Sequence, residues 1–163
     1  MLILLVRHAQ AAERDSALYP DDSLRPLVGK GRRTQARVSR HLASCRLVPE
    51  EVFSSPWRRA WQTAAILVQE TGIGKKRRTA CPALAEEPRL DRLAEAVGPR
   101  GGDDIVALVG HEPWLGELAG LLLTGSGNRP EIDFPKSGII GIDAPMIGSA
   151  AGTLRFFLTP DSI

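Results

Sequence analysis

Cysteine is scarce in this sequence. Cys45 and Cys81 are the only two in 163 residues, and neither belongs to a group of ligands with zinc-site spacing. A structural disulfide or a bound metal is therefore not expected. Aromatic side chains are few as well, at 5% of the chain, and none interrupts the one dense basic run, Lys75-Lys76-Arg77-Arg78, where base stacking would need them. That run lies between Gly72 and Gly74 on one side and a weak strand on the other, and it reads as a solvated loop. The net charge is only +2, from 21 basic and 19 acidic residues, which provides no general attraction to nucleic acid or to an anionic membrane. No stretch approaches 18 uninterrupted apolar residues, and no basic segment precedes the apolar start. Neither a membrane span nor a secretory leader is expected, and the cytoplasm is the expected compartment.

What the sequence does have is apolar runs that stop at histidine. Leu2-Ile3-Leu4-Leu5-Val6 ends at Arg7-His8, and Ile105-Val106-Ala107-Leu108-Val109 ends at Gly110-His111. Unbroken runs of this length, rather than alternation, mark strands buried on both faces of a parallel sheet. Ligands of such sheets bind beyond the carboxyl ends of the strands, where both histidines fall. A permanent cation beside an imidazole at that edge suits an anion that a nucleophile attacks.

Between and after these runs the chain alternates strand and helix signals. Glu13 to Gly31 holds Pro20, Asp21, Asp22, Pro26, Gly29 and Gly31, which predicts a long loop forming a lid or wall of the site. Arg32 to Leu42 has loosely helical apolar spacing, with His41 expected at the surface. Val52-Phe53 is a short strand. Ser55-Pro56 then predicts a helix start with Ser55 as N-cap, and Trp57, Trp61, Ala64, Ala65 and Val68 share one face. Arg58 and Arg59 fall in its first turn, against the helix dipole, where a bound anion would explain either of them. Arg77 to Leu84 is an indistinct strand, and Leu90 to Val97 a modest helix. After His111, Glu112-Pro113 turns into a helix through Leu115, Leu118, Leu121 and Leu122. Two more strands, Ile139 to Ile142 and Leu154 to Leu158, are joined across a link containing Gly148 to Gly152. With no repeat and no linker, residues 1–163 are expected to form one α/β domain.

Three elements thus offer Arg7 with His8, Arg58 or Arg59, and His111 to one edge of one sheet. The segments that carry them, RHAQA at 7–11, SPWRRAWQT at 55–63 and GHEPWL at 110–115, resemble the histidine phosphatase, or phosphoglycerate mutase-like, superfamily in order and spacing. Asp22-Ser23-Leu24-Arg25-Pro26-Leu27 with Gly31, together with the short chain, is similar to its SixA-type phosphohistidine phosphatase branch. The resemblance implies a three-layer α/β/α sandwich with a mostly parallel central sheet. It makes His8 the nucleophile, with Arg7, Arg59 rather than Arg58, and His111 around the phosphate, and Gln10 as a further donor. A general acid would fall at Glu86, in Leu84-Ala85-Glu86; Glu87 is the neighbouring alternative, and an ordinary surface pair is an equal one. Two departures stand out: Ala9 replaces a common glycine, and Val28 replaces the threonine frequent in the branch.

The expected activity is therefore removal of phosphate from a protein phosphohistidine, on a histidine phosphotransfer domain, through a phosphohistidine enzyme intermediate. Two arginines and a second imidazole can stabilise the transferring phosphoryl without a metal, so no metal or other cofactor is expected. The alternatives are a small-molecule phosphomonoesterase of the same superfamily or a non-catalytic adaptor that binds phosphate or phosphohistidine. No nucleic acid or membrane partner is expected, and the chain is expected to act as a monomer or weak dimer.

Overall fold

The computed structural model describes residues 1–125, 132–149 and 151–163. Its six strands are β1 (Leu2–Arg7), β2 (Glu51–Ser54), β3 (Arg78–Ala80), β4 (Ile105–Gly110), β5 (Ile139–Asp143) and β6 (Thr153–Leu158). They form one sheet in the order β3-β2-β4-β1-β5-β6. The first four run parallel, β5 lies antiparallel to β1, and β6 antiparallel to β5. The four main helices are α1 (Gly29–Ser44), α2 (Arg58–Thr71), α3 (Leu90–Val97) and α4 (Trp114–Thr124).

The apolar run of β1 is continuous because both of its faces are covered. Ile3 and Leu5 pack with Leu93 of α3 and Leu115, Leu118 and Leu122 of α4. Leu2, Leu4 and Val6 pack on the other side with Val38 and Leu42 of α1 and Ala64 and Leu67 of α2. Alternate residues of a strand point to opposite faces, so a doubly covered strand needs an apolar residue at every position. Burying each of these side chains contributes roughly 1.5–3 kcal/mol. This is the expected α/β/α arrangement with a mostly parallel sheet.

The register of β1 on β4 builds the site. Arg7 pairs with Gly110, and the His8 amide donates to the Gly110 carbonyl at 3.0 Å. The next residues out of the sheet, His8 and His111, therefore emerge side by side.

Some boundaries differ from expectation for identifiable reasons. Helix α1 starts at Gly29, not near Arg32, so Gly29 and Gly31 belong to a helix rather than to a turn. At Gly31 a Cβ would lie 2.2 Å from the Gln10 carbonyl oxygen, so glycine here permits close packing of α1 on the chain leaving β1. Helix α2 begins at Arg58, with Trp57 and not Ser55 at its N-cap position and no side-chain cap. Ser55 instead continues from β2, fully buried, and its hydroxyl accepts from the Trp57 amide at 3.2 Å just ahead of the helix. The strand expected over Arg77 to Leu84 shortens to β3, followed by a 3-10 turn at Pro82–Leu84. Lys75–Arg77 form an exposed turn, while Arg78 lies over the Trp61 ring at 3.9 Å. In the link from Gly148 to Gly152, position 150 lies outside the described residues. Among the described residues, no helix is long and apolar enough to cross a membrane.

Candidate active site

A cleft of about 360 Å³ opens at the carboxyl ends of β1 and β4. Arg7, His8, Arg59 and His111 all line it, together with Trp57, Trp114, Glu112, Lys136 and the loop residues Ala11, Arg14, Asp22 and Arg25. Five cationic side chains there face two carboxylates, an excess suited to an anion. The Glu13 to Gly31 segment is a wall of this cleft. Its only helical pieces are a 3-10 turn at Asp22–Leu24 and the first residues of α1.

His8 is set up by its own backbone. Nδ1 lies 2.8 Å from the Ala9 carbonyl oxygen. A carbonyl only accepts, so Nδ1 carries the proton and Nε2 keeps its lone pair. The Arg59 Nε–H donates to that Nε2 at 3.3 Å. Burial lowers the imidazole's pKa, the Ala9 bond opposes this, and Arg59, Arg7 and Lys136 lower it further, to about 3. At neutral pH His8 is thus an uncharged base whose bare nitrogen sits against a guanidinium.

His111 is held differently. Its Nε2 meets the Ser55 hydroxyl at 2.8 Å, and its ring packs against Trp57 and His8, with centroids 4.6 and 5.1 Å away. Burial, followed by the proximity of His8 and Arg59, lowers its pKa to about 3. Among the described residues its Nδ1 is buried without a partner, as are Arg7 Nε and Ser137 Oγ. Unpaired buried polar atoms cost about 1–3 kcal/mol each, so a ligand with acceptor oxygens has something to gain from such donors. Arg7 is also anchored, since one of its Nη groups donates to the Phe134 carbonyl.

Arg59 is buried within α2's first turn, whereas Arg58 is exposed. Its guanidinium lies 4.6 Å from the Trp57 ring centroid and donates to both the backbone oxygen and the carboxylate of Asp22, at 2.8 and 3.1 Å. Burial pushes the Asp22 carboxyl up, but bonds from Arg25 and Arg14 and the charge of Arg59 outweigh it and bring the pKa down to about 2. The Thr63 hydroxyl accepts from the Ala9 amide at 3.0 Å and donates to the Arg59 carbonyl at 2.7 Å. It therefore ties the turn after His8 to α2.

The structure brings Arg7, His8, Arg59 and His111 together and leaves out two other candidates. Gln10 is exposed and does not line the cleft; its backbone carbonyl accepts from Val28 N–H instead. Glu86 is exposed, bonded to Arg92 at 3.1 Å and absent from the cleft lining, though it shares a small neighbouring cavity with His111 and Trp114; Glu87 is exposed too. His41 lies outside the cleft, its Nε2 3.6 Å from the Cys45 sulfur. Sequence reasoning missed Ser55, Thr63, Lys136 and Glu112 as parts or neighbours of the site. Thr63 closes the SPWRRAWQT segment and Ser55 opens it, so both carried a signal; an isolated Lys136 in a loop carried none.

The arrangement can hold a tetrahedral anion between guanidiniums beside an imidazole nitrogen that keeps its lone pair, which is the requirement for phosphoryl transfer to nitrogen. Comparison with known proteins agrees. Residues 3–87 match the family model of the histidine phosphatase superfamily (branch 1). An uncharacterized protein of Picosynechococcus sp. is 31% identical over 157 residues, spanning 87% of this chain and 84% of that one. The fold is similar to that of the protein histidine phosphatase SixA complexed with tungstate, with a TM-score of 0.81, 23% identity and 99% of both chains covered. It is also similar to that of a SixA-designated protein of Agrobacterium tumefaciens, with a TM-score of 0.76, 22% identity and 98% and 97% covered. On the family match, this chain belongs to the histidine phosphatase superfamily, branch 1.

Proposed function

We propose that this protein is a phosphohistidine phosphatase acting on a phosphorylated protein, a histidine phosphotransfer domain in particular. The observation that carries the reading is the tautomer of His8, whose Nδ1 proton is taken up by the Ala9 carbonyl and whose bare Nε2 lies beside Arg59. In the first step the Nε2 lone pair forms a bond to phosphorus as the substrate N–P bond breaks. The electron pair of that bond departs on the substrate imidazole, which leaves as a neutral ring when its nitrogen is protonated. In the second step water attacks phosphorus, gives up a proton to solvent, and the His8 N–P bond breaks to restore the lone pair. Arg7 and Arg59 hold the equatorial oxygens, Lys136 adds to the positive surroundings, and the neutral His111 walls the pocket. These cations supply the positive charge that a metal provides in other phosphatases, so no metal enters the scheme.

The leaving group supports phosphohistidine over an alkyl ester. Imidazole, with a conjugate-acid pKa of about 6.5, departs near neutral pH without a dedicated acid, whereas an alkoxide needs one. Of the two carboxylates lining the cleft, Asp22 is held as an anion by three guanidiniums and Glu112 accepts from the Gly116 amide at 3.0 Å, while Glu86 lies outside the cleft. Leu18 and Leu24 are 71% and 56% exposed in the loop that walls the cleft, which suits contact with a protein surface. The test is to give the purified protein phosphorylated phosphotransfer domains and a panel of small phosphoesters, with and without chelator. Faster turnover of the phosphohistidine, unaffected by chelation and competed by vanadate, is expected; preference for a small ester, or metal-restored activity, would replace this reading.

A further inference from the structure

The carboxylate of Asp22 is the meeting point of three arginines, only one of which comes from the helix that builds the phosphate site. Its Oδ1 pairs with Arg14 Nε at 3.2 Å and with Arg25 Nε at 2.8 Å, and its Oδ2 with Arg59 Nη2 at 3.1 Å. The Asp22 backbone oxygen takes Arg59 Nη1 at 2.8 Å. Arg25 is itself moored, donating through Nη1 to the Ala12 carbonyl at 2.7 Å.

A guanidinium is planar and presents two forked edges, one made of its two Nη groups and one of Nε with a single Nη. Asp22 takes both Nη groups of Arg59, while Nε faces His8 Nε2. The plane is thus fixed from outside with its inner edge turned toward the attacking nitrogen. We infer that Asp22 is a positioning residue for phosphoryl transfer: from the loop, it orients the guanidinium of Arg59 so that the Nε edge meets the phosphoryl group at His8. Asp22 does not touch the reacting atoms in this scheme. Arg14 and Arg25 hold the carboxylate in turn, and they keep it an anion at any pH at which His8 can attack.

Two competing roles are physically distinct. As a mere tie between the loop and α2, Asp22 would matter to stability and not to the rate at saturation. As a plug, it would compete with phosphate for Arg59, and removing its charge would tighten anion binding. The inference rests on the phosphoryl-transfer reading of the site, and the assay separates the two. Wild-type turnover of the phosphohistidine carrier tests that reading, whereas the ratio of variant to wild type on whichever phosphoryl substrate is turned over fastest tests Asp22.

Asp22→Asn keeps the shape and removes the charge. Orienting partners of a catalytic group typically cost about 10- to 100-fold when lost, and a fall of that order in kcat is expected, with KM changing by no more than about threefold. Vanadate should bind the variant more weakly, and Asp22→Glu should recover part of kcat. In a double-mutant cycle, Asp22→Asn added to Arg59→Lys should cost little beyond Arg59→Lys alone, because the aspartate acts through that guanidinium. Unchanged kcat with a lower melting temperature, full multiplication of the two losses, or tighter vanadate binding would each overturn the inference. If Asp22→Asn does not fold, Arg25→Gln loosens the same carboxylate without touching Arg59: a lowered kcat supports the role, and an unchanged one overturns it.

Discussion

The corners at the ends of β1 and β4 look alike in the sequence and have become chemically different. Both are buried strands that deliver a histidine to the same edge, in register, and both imidazoles are held neutral with a pKa of about 3. His8 spends its Nδ1 proton on the neighbouring carbonyl and points a bare Nε2 toward Arg59. His111 commits Nε2 to Ser55 and lies among Trp57, Trp114 and His8. The Nε2 of one ring keeps a lone pair that accepts from Arg59; the other ring is fixed as part of the pocket wall. On the proposed mechanism, the partner of each ring nitrogen, not the histidine itself, separates nucleophile from support.

The sharpest way to break that comparison is to remove each ring in turn. His8→Ala should abolish turnover and the phosphoenzyme while leaving the melting temperature close to wild type, since the ring borders an open cleft and lies outside the packed clusters. His111→Ala should lower the rate by about 10²–10³-fold, the usual cost of a lost stabilising donor, yet still form phosphoenzyme. Rapid-quench labelling distinguishes them: an acid-labile, base-stable adduct should appear in wild type and His111→Ala and be absent in His8→Ala. Equal residual turnover in both variants would erase the distinction drawn between the corners.

Next in size is the partner of the supporting ring. Ser55→Ala leaves His111 Nε2 without its 2.8 Å contact and leaves His8 untouched. Loss of such an orienting partner should cost about 10- to 100-fold in kcat/KM. The corresponding bond of His8 is to backbone and has no side chain to delete, so the two corners differ in how they can be damaged. A steady-state comparison of Ser55→Ala with wild type and His111→Ala checks this, and a Ser55→Ala loss larger than that of His111→Ala would contradict it.

The two corners were legible in the sequence to different depths. Unbroken apolar runs marked β1 and β4 because both faces are covered, and the abrupt stop at Arg7-His8 and Gly110-His111 placed the edge. Helix α3 appeared at its expected bounds because Gly98 and Pro99 end it. The antiparallel direction of β5 was not legible, since short apolar strands carry no sign of direction. Gly31 reads as a loop residue until Gln10 is seen packed above it. The choice of Arg59 over Arg58 came from resemblance; the structure adds that Arg59 is buried and Arg58 exposed. The grip of Asp22 on Arg59 joins residues 37 positions apart, and nothing local announces it.

Acid should act on both corners together. The unfolded chain takes protons onto His8 and His111 near 6.5, whereas the folded chain resists until about 3. Between those values the unfolded state binds more protons, so stability falls as pH falls from 6.5 toward 3. Asp22 adds to the trend lower down: its carboxyl is depressed from 3.8 to about 2, a contribution present above 3.8 and lost as pH approaches 2. Denaturation midpoints should therefore drop between pH 7 and pH 4, and the drop should be shallower in a variant with both histidines replaced by alanine. A midpoint independent of pH over that range would mean that the rings are not held neutral.

The smallest effect is expected where resemblance placed an acid that the structure keeps out of the cleft, at a small cavity it shares with His111 and Trp114. Glu86 is exposed and bonded to Arg92, and each of these side chains is about half accessible to solvent. An exposed pair of this kind contributes about 0–1 kcal/mol, so Glu86→Gln should scarcely change stability. General acid catalysis contributes about 10²–10⁴-fold, a loss that would be conspicuous on an alkyl phosphate, whose leaving oxygen must be protonated. On phosphohistidine the same loss should not arise, because a ring protonated on its other nitrogen leaves as neutral imidazole near neutral pH. Glu86→Gln should therefore lie near wild type on phosphohistidine, and on an alkyl ester as well if the side chain keeps its place beside Arg92. A large fall on the ester alone would mean that the loop carrying Glu86 moves into the cleft for esters. Large and equal falls on both substrates would make Glu86 a proton donor in every turnover and favour a general phosphomonoesterase.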